Sequence, residues 1–133
     1  MQYNYPLVIK EHHLDSYWHV NNATYLVLYE EARWQAITER GYGYGKVHQS
    51  GLGPVILEVQ VKFMKELKLR EQIIITLDVI SYEGKIFKLK QLMLKENGDT
   101  ASEAVFTGAF FDLKNRKLIP PSDEWLIGIG LKS

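Results

Sequence analysis

Between Glu11 and Asn22 the chain gathers side chains that can move protons or hold charge: His12, His13, Asp15, His19, Asn21 and Asn22. An aspartate can act as a nucleophile or a general base, and an imidazole can carry a proton. By spacing alone, Asp15 reads first as a turn or capping residue just ahead of a helix, a role that does not exclude catalysis. His19 reads as a packed, hydrogen-bonded turn residue or as a second proton-transfer group. Asn21 and Asn22 read as amides that fix the loop. His12, His13, Asp15 and His19 lie within eight residues and are all metal-ligand types. Their spacing matches no ligand motif, so no metal site is expected. Farther on, Lys62, Lys65, Lys68 and Arg70, with Lys85 and Lys88, could engage phosphate groups, although a run of charge is otherwise a solvated face. No Gly-rich phosphate loop accompanies them.

Elements that would position these groups follow from periodicity. Tyr3–Lys10 alternates as a short strand, and Glu11–Asn22 has no period and reads as an ordered loop. From Ala23 to Arg40, Tyr25, Leu28, Tyr29, Ala32 and Ala36 share one helical face, widened by Leu26, Trp34 and Ile37. Gly41 follows, as a helix C-terminus prefers. Such a helix is roughly 27 Å long, with an apolar face broad enough to be wrapped by a sheet. On it, Tyr25 serves the core or lines a slot. Glu31 and Arg33 read as an ordinary, partly exposed ion pair. Gly41–Gly53 holds five glycines and reads as a flexible connection that could gate a slot.

Beyond it the period becomes two. Val55, Leu57, Val59, Val61 and Phe63 alternate with polar neighbours and Ile56, and strands follow at Gln72–Ser81, Ile86–Lys95 and Thr100–Leu113. Glu83-Gly84 and Asn97-Gly98 are hairpin signals. Ser122–Leu131 reads as a short terminal helix weakened by Gly128 and Gly130. A strand, one long helix and four strands joined mainly by tight turns make an α+β fold with an antiparallel sheet. No repeat or low-complexity linker divides residues 1–133, so one domain is expected.

Composition narrows the function classes. Sixteen basic and sixteen acidic residues cancel, which argues against nucleic acid as the main partner. The absence of cysteine excludes disulfides, a thiol nucleophile and thiolate metal sites, and fits a cytoplasmic location. The first residues lack a basic stretch followed by an apolar run, so no secretory signal is read, and no apolar run is long enough to span a bilayer.

The segment Asp15-Ser16-Tyr17-Trp18-His19-Val20-Asn21-Asn22-Ala23-Thr24-Tyr25, continuing to Glu30-Glu31-Ala32-Arg33, resembles the hotdog-fold thioesterases of the 4-hydroxybenzoyl-CoA thioesterase type. That family carries an Asp, then often Gly-His-Val-Asn-Asn, then a Tyr and a helix with Glu-Glu-Ala-Arg. The element order matches along nearly the whole chain. The resemblance implies a hotdog fold, in which an antiparallel sheet wraps one long helix. It also implies hydrolysis of an acyl thioester on coenzyme A, with an acyl-carrier-protein thioesterase or a non-catalytic acyl-thioester-binding domain as alternatives. Three departures stand out. His13 occupies the place of a second acidic residue, Trp18 replaces the Gly, and Gly84-Lys85-Ile86-Phe87 lacks a frequent Ser or Thr.

Under the resemblance Asp15 becomes the nucleophile or general base. The Asn22 backbone N–H, at the positive end of the helix, becomes the oxyanion donor, with His19 as a possible auxiliary. Trp18 and Tyr25 would border the acyl slot, and Lys62, Lys65 and Lys85 would meet the carrier's phosphates. In a second branch of hotdog enzymes a helix Glu is catalytic, which makes Glu31 the reserve. No cofactor is implied. A lone hotdog sheet leaves an edge strand free, so a homodimer, or a tetramer of such dimers, is expected, with the site at the subunit interface.

Overall fold

A computed structural model describes residues 2–133; Met1 lies outside the described residues. The elements are β1 (Tyr3–Val8), α1 (Asn22–Glu39), α2 (Tyr44–Ser50), β2 (Leu52–Phe63), β3 (Gln72–Glu83), β4 (Ile86–Lys95), β5 (Thr100–Asp112), β6 (Lys117–Ile119) and α3 (Asp123–Ile129). The strands form one antiparallel sheet in the order β1-β3-β4-β5-β2, with β6 continuing beside β5 beyond the end of β4. This is the α+β hotdog architecture: a sheet curled around α1.

The helical face read from the sequence is the buried one. Tyr25, Leu28, Tyr29, Ala32 and Ala36 are all buried, against Ile73, Ile75 and Leu77 of β3, Phe87, Leu89 and Met93 of β4, and Phe106 of β5 in one core. Each large apolar side chain so buried contributes about 2 kcal/mol. Leu26 falls outside that face and is exposed. The helix begins where Asn21, in an extended conformation, accepts a hydrogen bond on its side chain from the Ala23 N–H. It ends at Arg40, before Gly41 at φ 90°.

Three expectations change. First, Gly41–Gly53 is not a flexible connection, because it contains α2 and a buried anchor, Tyr42. The Tyr42 ring meets Phe110 and Trp125 edge-on, and its hydroxyl donates to the Leu52 carbonyl at 3.0 Å. Gly51 caps α2 in the left-handed region, and a Cβ on Gly53 would meet Val47 at 2.8 Å, so glycine here serves a cap and a close approach. Second, β2 does not pair with β3. It crosses to the far side of β5, leaving Ile56, Leu57, Val59 and Phe63 exposed on an edge strand. A bulge between Ile56 and Glu58 interrupts the alternation there. Third, a short strand not read from the sequence, β6, follows the turn that Asp112 and Asn115 build.

The terminal helix is present despite its glycines. Ser122 accepts from the Trp125 N–H, Gly130 ends the helix at φ 92°, and Gly128 lies against Tyr42. Among the described residues no helix is long and apolar enough to cross a membrane.

Candidate active site

The loop ahead of α1 is built as a tight hairpin. A 3-10 turn at Glu11–His13 leads to a bridge between Leu14 and Val20. Inside the bridge, the Asp15 N–H donates to the His19 carbonyl at 2.8 Å, and the Trp18 N–H to the Asp15 carbonyl at 3.1 Å. The Asp15 carboxylate holds the turn through Oδ1, which accepts from the Tyr17 N–H at 2.9 Å and the His19 N–H at 3.3 Å. Asp15 is therefore the turn residue its spacing suggested. Oδ2 carries none of these bonds.

The two departures in the motif have physical explanations here. Trp18 sits at φ 64°, the left-handed conformation a glycine adopts freely, so the turn is kept and the ring projects into solvent, 71% exposed. His13 is turned into the protein. Its Nδ1 accepts from the Lys10 N–H at 2.9 Å and its carbonyl from the Asn21 N–H at 3.2 Å, which ties the loop to the start of α1. Burial, helped by the neighbouring His12 and Lys10, lowers the His13 pKa. Among the described residues no group of three or more His, Cys, Asp or Glu side chains is placed to hold a metal ion.

At the head of α1 the Ala23 N–H is taken by the side-chain oxygens of Asn21 and Asn22, both at 2.9 Å. The Thr24 and Tyr25 N–H groups donate to the Asn21 carbonyl. The Asn22 N–H, the first of the helix, has no acceptor among the described residues. A first-turn N–H at the positive end of a helix is a ready anion donor.

Asn22, His19 and Tyr25 line a cleft of about 310 Å3 with Phe63, Lys65 and Glu66. Tyr25 serves both of its readings, since it is buried, packs edge-on to Phe63 at 4.9 Å and borders the cleft. Asp15 and Trp18 line instead a different cavity, of about 340 Å3, with Glu11, Leu14 and Ser16. Within one chain the carboxylate and the helix-end donor thus line different cavities, with His19 on the side of the donor. Sequence reasoning missed Glu66, whose Oε1 lies 3.1 Å from His19 Nε2. The segment after β2 brings it there, held by Met64 and Lys65 N–H bonds to the Ala101 carbonyl and by the buried Leu67. An imidazole and a carboxylate far apart in sequence carry no joint signal until β2 and α1 are packed.

The basic residues are scattered. Lys65 is at the cleft. Lys62 points from the exposed edge strand toward Glu103, at 3.8 Å. Lys85 lies in the β3–β4 turn next to Ile86, which pairs with Ala109 opposite Val55, whereas Phe63 at the cleft pairs with Ser102. That spacing places Lys85 roughly 25 Å from the cleft of its own chain.

Glu31 and Arg33 are not an ion pair. Glu31 Oε2 accepts from the Tyr5 hydroxyl at 2.6 Å, a bond that, with burial, pushes the Tyr5 pKa to about 12. Arg33 is buried with its guanidinium over the Phe106 ring at 4.2 Å, and burial pulls its pKa down to about 10. The difference arises because successive odd positions on a helix face opposite ways: Glu31 faces β1 and Arg33 faces the core.

The fold is thus a sheet wrapped around one long helix, with an open N–H at the head of that helix. Residues 9–128 match the thioesterase-like superfamily, and the chain belongs to that family and is a thioester hydrolase. It is 30% identical over 112 residues, 84% of each chain, to the long-chain acyl-CoA thioesterase FadM of Escherichia coli. Its fold matches the probable thioesterase YbaW of Escherichia coli with a TM-score of 0.84 at 26% identity, covering 96% of each chain. It also matches the protein SAV2348 of Staphylococcus aureus, solved in complex with CoA, with a TM-score of 0.90 at 17% identity, covering 97% of this chain and 82% of that one.

Proposed function

We propose that this chain hydrolyses acyl-CoA thioesters at the junction of the Asp15 hairpin and α1. The observation that carries the reading is the Asn22 N–H, which opens the helix with no protein acceptor, next to a turn built on a carboxylate. The thioester oxygen would accept from that N–H as negative charge builds on it, a donor typically worth about 3 kcal/mol of barrier. Asp15 then acts in one of two ways. As a general base it takes a proton from water while the water oxygen bonds to the carbonyl carbon; the C–S bond breaks and the CoA thiolate is protonated. As a nucleophile it bonds to the carbonyl carbon itself, expels the thiolate and leaves a mixed anhydride that water hydrolyses. His19, held by Glu66, is placed at the cleft to relay a proton or to steer the thioester.

Hydrolysis at this place would use both cavities, and a second chain packed on edge strand β2 would complete the site. Edge strand β2 presents unpaired backbone and exposed Ile56, Leu57, Val59 and Phe63. Two such strands pairing antiparallel about a two-fold axis hide both edges. They also set the Leu52 end of one chain, and the Lys85 turn on that side of the sheet, toward the Phe63 end of the other. Lys65 of one chain and Lys85 of its partner would then flank one CoA. Likeness to the acyl-CoA thioesterase of Escherichia coli supports coenzyme A as the carrier.

The test is an acyl-CoA panel, short to long and aromatic, followed by thiol release, with Asp15→Asn as the variant. A fall in kcat of about 100-fold or more with the fold retained is expected. An unchanged rate removes Asp15 from the chemistry. Single turnover in labelled water separates the two routes: label in the Asp15 carboxylate marks direct attack. The same acyl group on coenzyme A and on an acyl carrier protein decides the carrier.

A further inference from the structure

Residues 64–71, between β2 and β3, belong to neither strand, yet this loop forms one wall of the cleft at Asn22 through Met64, Lys65, Glu66 and Leu67. An irregular segment has no ladder to satisfy its backbone, so its N–H and C=O groups must find partners elsewhere. At its ends the partners are backbone. The Met64 and Lys65 N–H groups donate to the Ala101 carbonyl, the Arg70 N–H to the Ile9 carbonyl at 2.7 Å, and the Ile9 N–H to the Glu71 carbonyl at 2.9 Å. In its middle two side chains do this. Lys95 Nζ donates to the Glu66 carbonyl, and Glu71 Oε1 accepts from the Lys68 N–H at 2.9 Å.

Lys95 and Glu71 also hold each other, with Nζ 3.0 Å from Oε2 and 3.2 Å from Oε1. Their side chains are 15% and 17% exposed, which makes theirs the most covered ion pair among the described residues. Exposed pairs hold little, whereas a covered pair is screened much less and keeps its geometry. The lysine reaches the loop from the last residue of β4, so the pair ties the loop to the body of the sheet. Tyr25, on the facing wall, registers these charges: burial raises its pKa, and Glu66 and Glu71 raise it further. That facing wall has supports of its own, the Asp15 turn and the Asn21 cap. The work is thereby divided. The hairpin and the helix start carry Asp15 and the Asn22 N–H, and the loop carries Lys65.

We propose that Lys95 and Glu71 are positioning residues for thioester hydrolysis: without touching substrate, their ion pair sets the loop that presents Lys65 to the carrier. That Lys65 meets the carrier rests on the proposed function; the hold on the loop does not. A wall that grips the carrier far from the reacting carbonyl binds ground state and transition state alike. Loosening it therefore weakens binding and spares the rate of the bound complex.

The test is Lys95→Met in the full chain. KM for the best acyl-CoA of the panel should rise about tenfold, the loss of one charge-assisted contact, with kcat within about twofold of the parent. Inhibition by free CoA, which reads the grip on the carrier without turnover, should weaken by a similar factor. With no ligand present, amides of residues 65–68 should exchange hydrogen faster, while those at the head of α1 keep the parent rates. Should Lys95→Met fail to fold, Lys95→Met combined with Glu71→Gln removes the same bond and leaves no unpaired carboxylate. Lys46→Met, which breaks the Lys46–Glu124 pair between α2 and α3, should change none of these readings. A fall in kcat at constant KM would make the pair merely structural and overturns the proposal. Unchanged exchange at residues 65–68, or a KM raised equally by Lys46→Met, overturns it as well. A parent chain that hydrolyses no acyl-CoA would refute the proposed function, and the exchange rates would still decide the hold on the loop.

Discussion

The two ends of the buried stripe on α1 treat charge in opposite ways. At the N-terminus, polar groups stand in the open: the Asn22 N–H faces a cleft, and His19 and Glu66 pair at its edge while more than half exposed. Eleven residues later, Arg33 is packed between helix and sheet with one hydrogen-bond acceptor among the described residues and an aromatic face. The first arrangement offers partial charge where a reacting oxygen can arrive, and water can occupy it in the meantime. The second stores a whole charge where water has little access. One helix thus exposes partial charge through its backbone, by the way helices end, and covers a whole charge on a side chain, by the way this core is packed.

The largest expected effect tests the backbone end. Proline at the first position of a helix is well tolerated, and Asn21 already has the extended ψ of 139° that precedes a proline. Asn22→Pro therefore removes the candidate oxyanion donor without costing the helix a hydrogen bond. We expect kcat to fall about 100-fold or more with thermal stability nearly unchanged. Unaltered turnover in a folded variant would assign the oxyanion to another donor.

Next in size is the packed end. If Arg33 is a buried cation without an ion-pair partner, Arg33→Met should raise the unfolding free energy by about 1–2 kcal/mol. A loss of that size in urea titration would instead make Arg33 a structural keystone, and the contrast between the ends would dissolve. Smaller still is the turn itself. Trp18→Gly relieves left-handed strain and should stabilise by about 0.5–1 kcal/mol. A destabilised variant would show that the exposed ring has a partner, and comparing KM with kcat for the same variant would show whether that partner is substrate.

The smallest effect concerns His13. Its folded pKa is lowered by burial, so the folded state binds its proton less readily than the unfolded state does. Stability is then full above the unfolded value of about 6.5 and declines as pH falls through that value toward the folded one. His13→Gln keeps an acceptor for the Lys10 N–H and should flatten this decline in pH-dependent urea melts. An unchanged slope would assign the acid sensitivity to other groups.

Regular elements were legible because their signals are local. Tyr25, Leu28, Tyr29, Ala32 and Ala36 recur at helical spacing, and Asn97-Gly98 is a turn in its own right. What escaped was non-local or masked by composition. The glycines of Gly41–Gly53 suggested slack, whereas Gly51 and Gly53 are required by a cap and a close contact around a buried Tyr42. Strand β2 was correctly read as a strand, but its partner was not, since an alternating pattern says which faces differ and not which strand lies beside it. Within the site, the loop and the helix start were visible as a motif. Glu66 and the Lys95–Glu71 pair were not, since each depends on segments that meet only in three dimensions.

By itself the sequence determined an α+β chain with one long central helix, a polar loop at its start, and, through the motif from Asp15 to Arg33, the kind of chemistry to look for. Periodicity and end signals suffice for the elements because they act within a few residues, whereas the chemistry came from the motif's resemblance to a family. Tertiary structure alone decided that Trp18 takes a glycine's conformation, that His13 turns inward, that Asp15 and Asn22 line different cavities, and that Arg33 is buried without an ion-pair partner among the described residues. Those outcomes depend on which groups are excluded from water together, and exclusion from water is a property of the packed whole.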